Sequence, residues 1–211
     1  MNIFVLFQFM RDEFIQGLRS NERTFDVNLS TVLVERLADY FELVQKHSPL
    51  LHLVAPCSPE GFATRHILES LTLLGHLPKN AKFADVGAGA GLPSIPCLIV
   101  RSDLKAELIE SKEKKTKFLE TAVIELKLSD RARVVNKQFE ETSPDKAEFI
   151  TCRALDKFSQ KLPRLLKWAK GRKILFFGGP SLGDSVRENG VKFTETLMPL
   201  SEHRYLFIGK A

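Results

Sequence analysis

Between Lys82 and Pro96 the chain reads Lys-Phe-Ala-Asp-Val-Gly-Ala-Gly-Ala-Gly-Leu-Pro-Ser-Ile-Pro, an order that few backbones accommodate. Phe83 to Val86 is a short apolar run of the kind that forms a buried strand. Gly87, Gly89 and Gly91 then break it, and an apolar segment resumes with Pro93 near a helix start, where a missing N–H costs little. Strand, glycine turn and helix start together make a corner against which a ligand can lie, because glycine lets the backbone turn tightly and approach closely. The spacing is G-x-G-x-G and differs from the G-x-G-x-x-G of dinucleotide-binding folds. A glycine-rich turn that binds nothing is the alternative at this point.

On both sides of the corner the pattern is helical or alternating. From Ser30 to Gln45, Val32, Leu33, Leu37, Phe41 and Val44 fall at helical spacing behind Ser30 as N-cap. Ser48 to Gly61 carries Pro49, Pro56 and Pro59 and reads as irregular; a further helix is expected from Phe62 to about Leu74, ending at Gly75 and Pro78. After the corner, a helix to about Val100 precedes a second strand, Ala106 to Ile109, closed by Glu110. Lys114 to Lys127 makes a helix with Phe118, Leu119, Ala122, Val123 and Leu126 on its apolar face. Strands follow near Arg133 to Asn136, at Glu148 to Arg153 and at Lys173 to Phe177, with a helix to about Lys170 before the last. The final apolar runs, Val191 to Leu197 and Tyr205 to Gly209, lie too close for an intervening helix and must pair antiparallel. The expected fold is therefore α/β and Rossmann-like: a mostly parallel sheet with a terminal antiparallel hairpin and an N-terminal helical extension. Residues 1–78 would form the helical cap and 79–211 the ligand-binding domain, the two making one compact unit.

The 211 residues suffice for one such core, and a net charge of +5 permits an anionic partner such as RNA without requiring one. Cys57, Cys97 and Cys152 are scattered, imply neither disulfides nor zinc, and suit a reducing cytoplasm. The Pro-Cys pairs at Cys57 and Cys97 lack any nucleophile pattern around them, so both are expected as small core residues. Met1 to Phe9 is mostly apolar but too short to span a bilayer and lacks a signal-peptide pattern. It reads as a frayed or docked terminal helix, with translation from Met10 as the second possibility, which N-terminal sequencing would decide.

Four places carry chemistry. Glu110, ending the second strand, can accept hydrogen bonds from both hydroxyls of a ribose, or can be a solvated acid at a helix start. Phe139 and Glu140 follow the third strand at the height of an adenine; Phe139 is otherwise core and Glu140 one of an acidic pair with Glu141. Arg153 gives an apolar strand a charged end, to be met by a cofactor carboxylate, an RNA phosphate or a neighbouring acid. Arg65 and His66 sit on the helix before the first strand, as rim or as packing residues.

With Asp85 ahead of its first glycine, the corner looks like motif I of the S-adenosylmethionine (SAM) methyltransferases. Arg65-His66-Ile-Leu-Glu-Ser-Leu71, Asp85-Val-Gly-Ala-Gly-Ala-Gly-Leu-Pro93, Glu110-Ser111 with Lys117-Phe-Leu119, Glu125-Leu-Lys-Leu128 and Cys152-Arg-Ala154 occur in this order. Together they resemble the RsmG/GidB family, bacterial enzymes that methylate guanine N7 in 16S rRNA of the small ribosomal subunit. The resemblance covers the chain from about Leu33 onward and is strongest from Arg65 to Arg153. It implies a class I SAM-dependent methyltransferase with SAM contacts at Gly87, Leu92, Phe139, Glu140 and Arg153 and with Glu110 as the ribose acid. Asp85, Gly89 and Gly91 complete the cofactor side, and Arg65, His66 and Arg153 face the reaction. The implied protein is cytoplasmic and monomeric, needs no metal or membrane, and acts on small-subunit rRNA or the small ribosomal subunit.

Guanine N7 has an in-plane lone pair and no proton to lose, so its direct methylation needs no general base and rests on alignment. The Asn/Asp-Pro-Pro-aromatic signature of adenine-N6 methylation is missing, as is any metal-ligand spacing. Arg65, Arg153, Lys112, Lys114 and Lys115 are candidates for RNA phosphates, with a solvated helix face as the alternative for the lysines. Two segments depart from the family: His52-Leu53-Val54 stands where Asn-Leu-Thr is usual, and Phe176-Phe177-Gly178-Gly179 where Leu-Lys-Gly is usual. Both lie on the substrate side. They leave room for a methyltransferase with another RNA or a small-molecule substrate, or for a non-catalytic SAM-binding, ribosome-associated protein. An NAD-binding protein is disfavoured by the glycine spacing and the terminal hairpin.

Overall fold

The computed structural model describes residues 3–153 and 155–211; Met1 and Asn2 of the N-terminal apolar run, and Ala154 of the Cys-Arg-Ala motif, lie outside the described residues. Five apolar runs form the parallel strands β1 (Lys82–Val86), β2 (Lys105–Ile109), β3 (Ala132–Val135), β4 (Phe149–Cys152) and β5 (Lys173–Gly178). With β6 (Phe193–Leu197) and β7 (Tyr205–Lys210) they make one sheet in the order β3-β2-β1-β4-β5-β7-β6. The chain winds outward from β1 to β3, then returns to place β4 on the other side of β1. Between β1 and β4 the winding reverses, and at such a switch point a crevice opens beyond the carboxyl ends of the strands.

The terminal runs pair antiparallel as expected, and β7 also pairs antiparallel with β5, so that it lies between β5 and β6. A helix absent from the sequence reading, α8 (Pro180–Glu188), carries the chain from β5 to β6 and leaves the slot that β7 fills. Its apolar signal is weak because only Leu182 and Val186 supply large buried side chains; Gly183 lies where a Cβ would come 2.8 Å from the Phe207 ring.

N-terminal to the sheet, α1 (Ile3–Asn21) and α2 (Thr31–Leu51) pack against the short α3 (Pro59–Phe62). The Ser30 hydroxyl caps α2 by accepting from the Leu33 N–H at 3.3 Å. The buried face of α2 is Val34, Leu37, Ala38, Tyr40, Phe41, Leu43 and Val44; Val32, expected on it, is 69% exposed in the first turn. Nor is Ser48 to Leu51 irregular. Pro49 removes one helical hydrogen bond, and α2 continues to Leu51, where left-handed His52 closes it with an N–H to the Ser48 carbonyl.

The next helix starts earlier than expected, at Pro59, and is not uniform. Residues Ala63–Leu68 form a π turn, Glu69–Leu71 is α4, and Thr72–His76 tightens to a 3₁₀ turn. Phe14 stacks on Phe41 with centroids 4.5 Å apart, and Phe62 tilts against Phe41 at 5.2 Å, joining the three helical segments. One apolar cluster runs from Phe14 through Phe83 to Leu206; a second, including Val86, Ile150, Leu165 and Phe176, completes the core. The remaining crossovers are α5 (Ser94–Val100), α6 (Glu113–Glu125) and α7 (Phe158–Trp168). The expected apolar face of α6 is buried throughout.

Candidate functional site

Three strand ends converge at the switch point, and the glycine turn follows the first. The N–H groups of Gly87 and Ala88 both donate to the Ile109 carbonyl, at 2.9 and 3.1 Å, and Gly91 N–H donates to Ala88 at 2.6 Å. Gly87 (φ +72°) and Gly91 (φ +90°) hold conformations that L side chains rarely adopt. A Cβ would also lie 3.0 Å from Leu155 Cδ1 at Gly87 and 2.3 Å from Ile95 Cδ1 at Gly91.

Glu110, directly after β2, is 7% exposed and tied to this turn. Its Oε2 accepts from Gly89 N–H at 3.0 Å and its Oε1 from Lys112 N–H at 2.8 Å. The Glu110 carbonyl accepts from Asn136 Nδ2 at 3.0 Å and from Thr116 Oγ1 at 3.1 Å, so two further side chains fix the residue from behind. Each carboxylate oxygen keeps a second acceptor position.

Asp85 is fully buried beneath the turn, with Oδ2 accepting from Ser94 Oγ at 2.6 Å. Its Oδ1 has no partner among the described residues. Burial pushes its pKa up to about 7, against the Ser94 hydrogen bond and the charge of Arg153 and with that of Glu110. A buried acceptor left open in this way suits a donor from a ligand.

Across the cleft stands a wall of side chains. Arg153 follows β4 and donates through Nη1 to Ser70 Oγ at 3.1 Å, and through Nη2 to Glu69 Oε2 at 3.1 Å and to the Arg65 carbonyl. Its guanidinium lies 5.5 Å from the centre of the Phe177 ring. The acceptors come from the π turn and α4. There the Glu69 N–H pairs with Thr64 instead of Arg65, the five-residue step of π geometry, and Arg153 reaches the Arg65 carbonyl. The second oxygen of Glu69 accepts from Arg204 Nε at 2.7 Å. Burial lowers the pKa of Arg153, with Glu69 opposing. His66 is driven down to about 3 by burial and then by Arg153, Arg65 and Arg204, so its imidazole is neutral near pH 7.

Between corner and wall lies a cleft of about 270 Å³. Of the residues singled out from sequence, Gly87, Gly89, Leu92, Glu110, His66 and Arg153 line it. Asp85 and Gly91 do not; Asp85 is buried beneath the turn, and Arg65 is exposed and reaches the site through its carbonyl. Lys112 and Lys115 reach the rim, whereas Lys114 does not. Phe139 is core, edge-on to Trp168 at 5.9 Å, and borders a small recess shared with Gly87 and Leu155. Glu140 is 3.3 Å from Arg164 and lies outside the cleft. Cys97 is buried as expected, and Cys57 is half-buried. A larger hollow of about 410 Å³ opens at the amino ends of β1 to β3, the wrong end of the sheet for a ligand of this fold.

Several residues here escaped the sequence reading. The Tyr40 hydroxyl, fully buried, donates to the Ala90 carbonyl at 2.9 Å and ties α2 to the glycine turn. Glu69 and Ser70 stand out in the sequence only as polar residues of the Arg65 to Leu71 motif, and Arg204, Thr116 and Asn136 carry no signal. Among the described residues no helix is long and apolar enough to cross a membrane, and no cluster of His, Cys, Asp and Glu is arranged to hold a metal.

This geometry has close company. A protein of Neisseria meningitidis serogroup C (strain FAM18) named ribosomal RNA small subunit methyltransferase G is 37% identical over 139 residues, covering 66% of this chain and 67% of its own. The protein of that name from Chromobacterium violaceum is 36% identical over 155 residues, 72% of this chain and 74% of its own. In fold, the crystal structure of M. jannaschii TYW2 in complex with AdoMet is similar at a TM-score of 0.53 and 15% identity, over 68% of this chain and 74% of that one. The residues that line the cleft fall within residues 33–198, which match the model of GidB, rRNA small subunit methyltransferase G, and this chain belongs to that family.

Proposed function

We propose that this chain transfers a methyl group from SAM to N7 of a guanine in 16S rRNA of the small ribosomal subunit. The observation that carries the reading is Glu110, a carboxylate pinned by the Gly89 and Lys112 amides at the mouth of a glycine turn. The residues fit SAM: the turn leaves a cradle that a Cβ at Gly87 would close, and Asp85 keeps a buried oxygen open. Of the residues lining the cleft, Gly87, Gly89 and Leu92 would hold it along the backbone, Glu110 at the ribose and Arg153 at the amino-acid end. Phe139, bordering the recess beside Gly87, and the adjacent Glu140 would flank the adenine, and Gly91 and Asp85 would shape the turn from beneath. When bound there, SAM supplies a methyl group activated on a sulfonium.

The chain's own part is alignment. His66, neutral near pH 7, is a hydrogen-bonding group and not an acid, and a base with no proton to lose asks for no general base. Arg65, Lys112, Lys114 and Lys115 suit RNA phosphates beside the cleft. We assign the protein to the cytoplasm and to a monomer in which residues 1–78 and 79–211 act as one unit. The Tyr40–Ala90 hydrogen bond supports that last point.

The test is incubation with methyl-labelled SAM and undermethylated small subunits, with the label mapped by mass spectrometry of digested RNA. N7-methylguanosine at a single site, lost in Gly87→Asp, is the expected result. SAM binding with no label on ribosomal RNA overturns the reading.

A further inference from the structure

Glu69 is a buried carboxylate, 1% exposed, that does not line the cleft, yet it holds two guanidinium groups. Oε2 takes Arg153 at 3.1 Å and Oε1 takes Arg204 at 2.7 Å, so one acid joins α4, the end of β4 and the turn before β7. Burying a charge is unfavourable unless it is paired, and here each oxygen has its own cation. The consequence falls on Arg153. A guanidinium has five N–H donors in a rigid fork. Three bonds, to Ser70, Glu69 and the Arg65 carbonyl, all point toward α4 and the π turn, and the Phe177 ring supports one face. Two donors have no partner among the described residues, on a side chain that lines the cleft. Two cations against one carboxylate also leave the wall net positive, which suits an anionic group.

We propose that Glu69 is a positioning residue: it fixes the plane of Arg153 so that the remaining donors meet the carboxylate of SAM, while Arg204 holds Glu69 from the far side. This rests on the SAM reading of the cleft. Glu69 touches neither cofactor nor substrate, so its effect must pass entirely through Arg153.

That requirement is testable as a double-mutant cycle. SAM affinity is measured by calorimetry well below the melting temperature of each variant, and melting temperatures are recorded separately. Glu69→Gln is expected to weaken SAM about tenfold and Arg153→Gln by a similar factor, the scale of one charge-assisted hydrogen bond. The double variant should bind no more weakly than Arg153→Gln alone. Should Glu69→Gln fail to fold, Arg204→Gln, at a half-buried position, enters the same cycle and is expected to lose about threefold, again with no addition to Arg153→Gln. Unchanged SAM affinity beside a lowered melting temperature makes Glu69 merely structural and overturns the proposal, as does a double variant whose loss is the product of the single losses. Methyl transfer by the unsubstituted chain is assayed in parallel. SAM binding without transfer overturns the proposed function and leaves the Glu69 result standing.

Discussion

The two walls of the cleft are built on opposite principles. The glycine corner is made of backbone amides, two of them donating to near neighbours, Gly91 to Ala88 and Lys112 to Glu110, and one, Gly89, to Glu110 on the adjacent strand end. The wall facing it is made of side chains far apart in sequence, with Arg153 separated from Ser70 by 83 residues and Arg204 from Glu69 by 135. A corner of amides keeps its shape under most substitutions and fails when a Cβ intrudes. A wall of charges fails when one partner is removed, because the other is left buried and unpaired.

Gly87→Asp should have the largest effect, a loss of SAM binding by calorimetry of at least about a hundredfold. It forces a side chain into a +72° backbone against Leu155, and such strain costs about 1–3 kcal/mol in stability as well. Unchanged binding would show that the corner is not the cofactor cradle. Arg153→Ala comes next. Urea unfolding should show about 3 kcal/mol of destabilisation, the low end for a broken buried pair because Arg204 still serves Glu69. A negligible change would mean that the wall is not held by charge.

Asn136→Ala leaves the corner amides in place and removes one brace behind Glu110, for which about 1 kcal/mol and a few-fold loss of SAM affinity are expected.

A last test separates the two walls by pH, where the opposite signs of two shifts matter more than the size of either. Asp85 in the corner rises from an ordinary 3.8 to about 7 on folding, so its ionisation weakens the ligand-free fold as pH climbs through that interval. His66 in the wall falls from 6.5 to about 3, so its contribution is full above 6.5 and is lost as pH drops toward 3. Between those limits the two oppose each other. Relative to the unsubstituted chain, melting temperatures of Asp85→Asn should fall more steeply on acidification, and those of His66→Asn should rise. Identical profiles for both variants would remove the distinction.

The same contrast decides what could be read from sequence. Strand, glycines and the following helix are contiguous between Phe83 and Val100, and Ser30 announces its helix within three residues, so local patterns carry them. Glu110 was legible from its place after a strand, but its braces Thr116 and Asn136 were not. The ion pairs of the wall have no local signature, because only the order of strands brings Arg204 to Glu69. The neutrality of His66 is equally hidden, since it depends first on burial and then on three arginines, Arg153, Arg65 and Arg204, that the fold brings together. The π turn escaped too: helical periodicity over Phe62 to Leu74 does not distinguish a five-residue step from a four-residue one. Phe177 lies in the segment where the family usually carries a lysine, and its ring sits under Arg153.

The hydrogen bond from Tyr40 to Ala90 supplies an optical probe. The chain holds two tyrosines, and burial raises the ionisation of the Tyr40 phenol well beyond its usual range. In an alkaline absorbance titration its phenolate should therefore emerge only as the structure opens, so the ultraviolet signal of one side chain reports when α2 parts from the glycine turn.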